Sequence, residues 1–407
     1  MPEKTALKTR LAVGLMSGTS MDGIDAALVR LSGTAERPRV QLLAFVSRPY
    51  PAPIRQRLMR VAGGGPTTSG EISELNFLLG ELFAEAALKV CRRGAVSPTR
   101  LAVIGSHGQT IFHQGRPALA AQSQTQRSFA SLRMTKMGCQ PSTFQIGESA
   151  VIAERTGAPV VADFRTADIA AGGHGAPLVP LVDYLLLRDA RLGSVALNIG
   201  GIANITAIPA RARPQDVFGF DTGPGNMVID ALMRQITRGQ RRFDRGGQIA
   251  ARGVVLEPQL KEILRLPYFR FPPPKSAGRE QFGSEFLKQH FLSKRRARPK
   301  DLLRTATELT ARTIAVALER FVFPVANIHC LIISGGGARN RLLVRRLKEM
   351  LPRLSVCLSD RFGLPADAKE AIAFAVLADR TIQGLPGNLP SVTGARKSVV
   401  LGTLTRP

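Results

Sequence analysis

The sequence predicts a duplicated α/β fold, two similar domains each built on a mixed sheet. Three observations predict it. A short apolar run, a glycine-rich polar turn and a second apolar run occupy 11–31, and the same pattern restarts at 194–208. A third strand-like run follows each hairpin, and after it helical and strand-like periods alternate. Clusters of glycine with hydroxyl or carboxylate residues sit at several strand ends, where open α/β sheets collect ligands.

In the first half, 11–15 has the apolar character of a buried strand, 16–23 is a polar turn, and 24–31 is a second strand. Gly18 and Gly23 relieve steric limits in the turn, so backbone N–H groups can approach a ligand closely. Ser17, Thr19 and Ser20 offer hydroxyls to phosphate oxygens, and Asp22 can hold a metal ion through water; a plain turn is the alternative. A third strand is expected at 40–46 and a short helix at 54–61. Thr68 with Glu71 makes a capping box for a helix ending near Arg92, whose apolar positions run from Ile72 to Val90. The strand 101–104 should end in the polar run 105–110, where His107 is either a ligand or a buried structural histidine. Residues 115–143, rich in Gln, Ser, Arg and Ala without clear period, form an expected peripheral insertion. A helix at 149–156, a strand at 160–164, the polar run 163–168, the glycine cluster 172–177 and a helix at 180–188 complete this half.

The second half repeats the order. The hairpin 194–208 turns at Gly200 and Gly201, a strand at 217–220 ends in 221–226, and helices are expected at 227–237 and 305–323, the latter with a Thr305/Glu308 capping box. A strand at 328–333 closes in Ser334-Gly335-Gly336-Gly337, followed by a helix at 340–350, a strand at 355–358 and a helix at 370–383. Both halves thus run β-β-β-α-β-α-β-α. This is a ribonuclease-H-like layout with domains 1–190 and 191–407, and a cleft between them where paired glycine loops could grip a triphosphate.

Composition narrows the function classes. The chain has 407 residues, 44% of them hydrophobic, and a mean hydropathy of +0.03, values of a folded globular protein. The N-terminal residues lack the apolar core of a signal peptide and no run is long enough to span a bilayer, so no membrane partner and a cytoplasmic location are expected. Cys91, Cys139, Cys330 and Cys357 form no CxxC pair and are expected as reduced thiols. Lys and Arg outnumber Asp and Glu by 56 to 30, a net charge of +26 that would attract polyanions. Aromatic residues make up only 5% with no Trp, which leaves little for base stacking, and the arginines are spread along the chain. A diffuse basic surface with no specific nucleic-acid partner is therefore expected.

The motifs GLMSGTSMDGID, GSHGQT, ADFRTADIAAGGHGAPLVP, LNIGGIANIT, GFDTGPGNMVIDA, ISGGGARN and GLPGNLPSVTGA, taken in order, resemble those of the anhydro-N-acetylmuramic acid kinases. The resemblance runs from about Val13 to Thr403 and is broken mainly at 115–143. It implies the actin, Hsp70 and sugar kinase superfamily, whose actin-like ATPase domains carry the duplicated layout, and homodimerisation. It further implies ATP- and Mg²⁺-dependent phosphorylation of 1,6-anhydro-N-acetylmuramic acid. Water opens the anhydro ring in the same reaction, giving N-acetylmuramic acid 6-phosphate for cell-wall recycling. Carried over residue by residue, Gly18, Thr19, Ser20, Met21, Asp22, Gly23, Ile24 and Asp25 match the ATP-phosphate segment, Gly200 and Gly201 a second phosphate loop, and Gly335, Gly336 and Gly337 a nucleotide-proximal loop. The sugar side would be His107, Gln109, Thr110, Asp163, Arg165, Asp168, Gly175 and Pro177. Asp221 matches the general base, the alternative being a cap on the helix that starts near Asn226. Glu370 and Asp22 are the metal candidates, the alternative for Glu370 being a favourable charge at a helix N-terminus. His174 and Glu148 stand where relatives usually have Gln and Asp. Two other classes remain open at this point. A nucleotide-binding switch of the same superfamily would show no sugar-dependent ADP release, and a basic nucleic-acid-binding protein would lack kinase activity.

Overall fold

The computed structural model describes residues 9–115, 141–293 and 297–407, so residues 116–140 of the expected insertion and Cys139 lie outside the described residues. The chain forms two compact units, Met1–Leu186 with Glu370–Pro407, and Leu187–Lys369.

The first unit is built on β1 (Arg10–Ser17), β2 (Gly23–Gly33), β3 (Pro38–Pro49), β4 (Val103–Gln114), β5 (Ser142–Ile146) and β6 (Val160–Ala162), with helices α1 (Ala52–Ala62), α2 (Ser69–Arg93), α3 (Ser149–Thr156), α4 (Thr166–Ala170) and α5 (Val179–Leu187). β3, β2 and β1 pair antiparallel, then β4 and β6 follow parallel to β1, and the C-terminal strand Thr403–Thr405 closes the edge antiparallel to β6. Successive residues of β1 face opposite sides of the sheet. Val13 and Leu15 join Leu75, Leu79, Phe83 and Val90 of α2 in one core. Thr68 caps α2 by accepting from the Glu71 N–H at 3.1 Å, but the Glu71 carboxylate turns to Arg57, Arg60 and Thr67, so half of the expected capping box forms.

On the same sheet, Gly14 and Gly105 are register partners on β1 and β4. A Cβ on either would collide with a helix carbonyl, of Ala371 at Gly14 and of Phe374 at Gly105. The helix Lys369–Ile382 therefore descends onto a strip of sheet from which side chains are absent. This packing and the strand Thr403–Thr405 draw 370–407 into the first unit, whereas the sequence reading assigned everything after 190 to the second.

β4 also differs from expectation. It does not stop at Ile104 but carries the polar run 105–110 inside the strand, because β5 pairs with its second half. The partner was hidden from sequence reading by the insertion that separates the two strands. Gln114 and Ser142 face each other in that ladder, so Ser142 and Thr143, assigned to the insertion, belong to β5.

The second unit repeats the plan with β7 (Ser194–Ile199), β8 (Ile202–Ile208), β9 (Phe218–Pro224), β10 (Cys330–Ser334) and β11 (Ser355–Leu358). Its order β11-β10-β7-β8-β9, with β8 antiparallel to both β7 and β9 and with β10 and β11 parallel to β7, matches the β6-β4-β1-β2-β3 core of the first sheet. The ribonuclease-H-like layout is present in both units. The helix Pro299–Ala317 packs Ala311, Ile314 and Ala315 against this sheet. A second core, missed by the sequence reading, joins α6 (Met227–Ile236) and α7 (Glu257–Leu264) to the short helices Pro267–Arg270, Arg279–Phe282 and Ser284–Leu287. Tyr268, Phe269, Phe282 and Phe286 meet there edge-on or stacked, with centroids 5.2–5.8 Å apart. These helices are too short, and too often interrupted by Pro and Gly, to show a period.

The Thr305/Glu308 capping box is not formed. The helix starts at Pro299, a favoured first position, so both residues are interior. Thr305 Oγ1 donates to the Asp301 carbonyl at 2.7 Å, and Glu308, 1% exposed, accepts from Arg312 Nε at 3.1 Å and from Arg346 Nε and Nη2 at 2.8 Å. Burial alone would raise the Glu308 pKa; the hydrogen bonds and charge of Arg346 and Arg312 override it and hold the carboxyl below its ordinary value. Removing the carboxylate leaves two guanidinium groups without their buried partner. Glu308→Ala should cost about 2–4 kcal/mol in urea unfolding at neutral pH, toward the low side because both arginines reach solvent. A lowered pKa means that this stability is present above the ordinary glutamate range and is lost as pH falls through the folded value. The deficit of the variant should therefore shrink in acid.

Candidate active site

In the first unit the parallel pairing of β1 and β4 sets Ser17 opposite Gln109. Ser17 Oγ lies 2.7 Å from Gln109 Oε1 and 2.8 Å from the Gly23 carbonyl, and accepts from the Tyr50 hydroxyl at 3.0 Å. Gln109 Nε2 donates to the Gly18 and Thr110 carbonyls at 3.3 and 3.1 Å. Gln109 is completely buried, so it anchors the first glycine loop instead of reaching outward as a sugar contact. Thr19, Ser20 and Asp22 are exposed on that loop, and Ser20 Oγ donates to Asp22 Oδ1 at 2.8 Å. The left-handed residue is Met21 (φ 51°), whose side chain is buried and whose carbonyl accepts from Arg55 Nε at 2.9 Å. A Cβ added at Gly18 would meet only the Ser20 hydroxyl, at an ordinary 3.7 Å, whereas Gly23 is small because the Arg48 carbonyl of β3 lies against it.

Ile24 and Asp25 belong to β2, and Ile24 points into the core. Asp25 has its pKa pushed up to about 6, first by burial, with Ser47 opposing and the Asp22 and Glu370 charges adding to the rise. Asp22, Asp25 and Glu370 therefore share one anionic neighbourhood. Among the described residues no group of three or more His, Cys, Asp or Glu is arranged to ligate a metal directly.

The other predicted sugar-side residues divide in two. His107 is buried, with Nδ1 at 2.9 Å from the Gly108 carbonyl and Nε2 facing Arg165 Nε at 3.1 Å and Nη2 at 2.9 Å. Arg165 Nη1 donates to the Gly175 carbonyl at 3.1 Å, and burial pushes the guanidinium down to about 10 while Glu370 opposes. His107, Arg165 and Gly175 thus come together beside Glu370. Thr110 is half-buried; Asp163 (φ 55°) and Pro177 are exposed. Asp168 does not face outward. It is completely buried, Oδ2 accepting from the Gly175 N–H at 2.8 Å and Oδ1 from Asn388 Nδ2 at 2.6 Å and Thr393 Oγ1 at 2.7 Å. Asn388 and Thr393, which sequence reasoning left without a role, tie the motif 384–395 to the glycine cluster; their place within the motif GLPGNLPSVTGA was the available signal. The His174 N–H donates to the Thr393 carbonyl in the same knot, while Glu148 caps α3 through the Ala150 N–H and accepts from Asn76 Nδ2.

In the second unit the three polar loops are knitted together. Asn226 Nδ2 donates to the Ile199 carbonyl at 3.1 Å, the Asn226 N–H to the Gly200 carbonyl at 2.8 Å, and the Met227 N–H to the Gly201 carbonyl at 3.1 Å. Gly335 takes φ 78° and packs on Ile199 and Asn198, and Gly337 packs on the Ile199 side chain. A Cβ added at Gly200, Gly201 or Gly336 would meet its nearest neighbour at 3.5, 3.4 and 3.6 Å, ordinary contact distances, so packing does not crowd these three glycines. Asp221 lies inside β9, not beyond it, and its Oδ2 accepts from the Ala277 N–H at 2.8 Å. The helix-cap alternative does not hold: α6 begins at Met227 and no side chain caps it.

Two donors of Arg165 on Nε2 require His107 to carry its proton on Nδ1, and burial, then the Arg165 charge, push the ring down to about 3. ¹⁵N NMR of the histidine rings should show His107 as a neutral Nδ1–H tautomer that does not titrate between about pH 5 and 8. Because the folded pKa is lowered, the neutral ring costs stability progressively as pH falls below the ordinary histidine value. Titration of His107 near its ordinary value would contradict the arrangement.

Residues 10–407 match the family model described as anhydro-N-acetylmuramic acid kinase. Relatives of that name include one from Caldanaerobacter subterraneus subsp. tengcongensis, 44% identical over 402 residues with 97% of both chains covered. Another, from Gloeobacter violaceus, is 44% identical over 96% of this chain and 97% of its own. A third, from Clostridioides difficile, is 40% identical over 97% of this chain and 98% of its own. Among solved structures, a ROK family glucokinase from Streptomyces griseus in complex with glucose and AMPPNP aligns over 91% of this chain and 99% of its own, with 12% identity and a TM-score of 0.37. With identities of this size over nearly its whole length, the chain belongs to the anhydro-N-acetylmuramic acid kinase family and is a sugar kinase.

Proposed function

We propose that this enzyme transfers the γ-phosphoryl group of ATP to 1,6-anhydro-N-acetylmuramic acid while water opens the anhydro bridge. The product is N-acetylmuramic acid 6-phosphate, formed in peptidoglycan recycling. The observation that carries this reading is the family match over residues 10–407, which spans every polar loop described above.

The anhydro sugar has no free hydroxyl at C6, so phosphorylation must await cleavage of the C1–O6 bond. In this reading Asp221 takes a proton from water as its oxygen bonds to C1. The C1–O6 electron pair stays on O6, which attacks the γ-phosphorus as the bond to the β-phosphate oxygen breaks and ADP leaves. The carboxylate then returns its proton to solvent. The backbone of 18–25 and Gly200, Gly201 and Gly335–Gly337 receive the phosphates, with Gly18, Gly200, Gly201 and Gly336 the least crowded of these glycines. On the sugar side Thr110, Asp163, Arg165 and Pro177 line the acceptor, and the buried His107, Gln109, Asp168 and Gly175 hold them in place from within.

The residues present fit Mg²⁺. Asp22 and Glu370 both add to the rise of the Asp25 pKa, so the charges of these carboxylates act on one region. A magnesium ion typically takes one or two carboxylates together with waters and substrate phosphates. Asp22 and Glu370 would hold it, and when bound it would offset charge on the transferring phosphoryl group.

Mass spectrometry of the product made from ATP and the anhydro sugar tests the reaction; a sugar phosphate that retains the anhydro bridge would overturn it. Asp221→Asn keeps an oxygen that can accept from Ala277 but removes the proton acceptor. Its turnover should fall by about 10²–10⁴-fold with ATP affinity and melting temperature near wild type. Near-normal turnover would remove Asp221 from the mechanism.

A further inference from the structure

We propose that the segment 268–277 is a strap that positions Asp221, with Tyr268 as its principal positioning residue. This rests on the reading of Asp221 as the base. β9 is the edge strand of the second sheet, paired on one side with β8. An edge strand leaves alternate N–H and C=O groups pointing away from the sheet, where nothing fixes them. At Asp221 both outward groups are taken by the strap. The Asp221 N–H donates to the Lys275 carbonyl at 3.1 Å, and the Tyr268 hydroxyl donates to the Asp221 carbonyl at 2.8 Å. The Ala277 N–H then holds Oδ2 of the carboxylate at 2.8 Å, so main chain and side chain of one residue are fixed by one ten-residue stretch.

The strap is itself braced. Lys275 Nζ donates to the Tyr268 carbonyl at 3.2 Å, which closes it into a loop, and the ammonium lies 4.9 Å from the Tyr268 and Phe321 ring centroids and 5.7 Å from that of Phe220. The Tyr268 ring stands edge-on to Phe269 and Phe282, at 5.6 and 5.2 Å. The aromatic core of the second unit thereby carries the hydroxyl to the Asp221 carbonyl. A rigid anchor at this point serves catalysis, because a base must be held in a productive geometry relative to the water it activates.

Tyr268→Phe keeps the ring and its packing and removes only the hydroxyl. Its kcat should fall on the order of tenfold, since ångström-scale misplacement of a catalytic group costs up to about a hundredfold. KM for both substrates and the melting temperature should stay close to wild type. The decisive readout is a double-mutant cycle: in an Asp221→Asn background, the same substitution should leave the residual turnover unchanged. Lys275→Met, which unties the Tyr268 carbonyl while keeping an apolar stem, should lower kcat in the same direction and to a smaller extent. If both variants keep wild-type kcat while Asp221→Asn is impaired, the strap has no positioning role and the base stands. If Tyr268→Phe lowers turnover equally in both backgrounds, its effect is structural and the proposal fails. If Asp221→Asn turns over normally, the reading of the base falls, and the strap's role with it.

Discussion

Each unit depends on one parallel strand pair at its centre, β1 with β4 and β7 with β10. Parallel strands end on the same side of a sheet, so whatever follows one is brought level with whatever the other carries there. Ser17 faces Gln109 in the first unit, and Asn198 faces Ser334 in the second, and each pair stands at the foot of its glycine loops. The same pairing aligns Gly14 with Gly105, which lets the helix Lys369–Ile382 approach the first sheet closely enough to set Glu370 near Asp25 and Arg165. A side chain at either glycine would lift that helix and the carboxylate with it.

Two residues that look like ligand contacts in the sequence are turned inward in the structure. Gln109 and Asp168 spend their polar atoms on Gly18, Ser17, Gly175, Asn388 and Thr393, and both are completely buried. Through these bonds both side chains hold the backbone of the two glycine segments. Part of the arginine excess is taken up by ion pairs, some at buried carboxylates and some at the surface. Arg312 and Arg346 converge on Glu308, Arg57 and Arg60 on Glu71, and Arg10 on Asp379. Among the described residues no helix is long and apolar enough to cross a membrane.

The doubled hairpins, the third strands and the long α2 were legible because each is local and strongly periodic, and the order of elements then implied the sheet. What escaped reading was non-local. The run 105–110 looks like a loop, since Gly108 and its polar neighbours disfavour a strand, yet β5 supplies the pairing from beyond the insertion. Thr305 and Glu308 have the spacing of a capping box but are claimed by Asp301, Arg312 and Arg346 after folding. The return of 370–407 to the first unit follows from a glycine strip and a three-residue strand, neither of which has a sequence period. At the site the glycine loops stood out by composition, and Asp221 was marked by the family resemblance. The partners of Asp221, 47 and 56 residues away along the chain, carried no such mark.

The central claim is that water enters at the anomeric carbon while phosphate goes to O6. It is tested most directly by a brief reaction in ¹⁸O-labelled water, with fragmentation of the product in a mass spectrometer. The account predicts one labelled oxygen on C1 and none in the phosphoryl group. Label in the phosphoryl group would mean that water attacks ATP, and the coupling of ring opening to phosphorylation would be wrong.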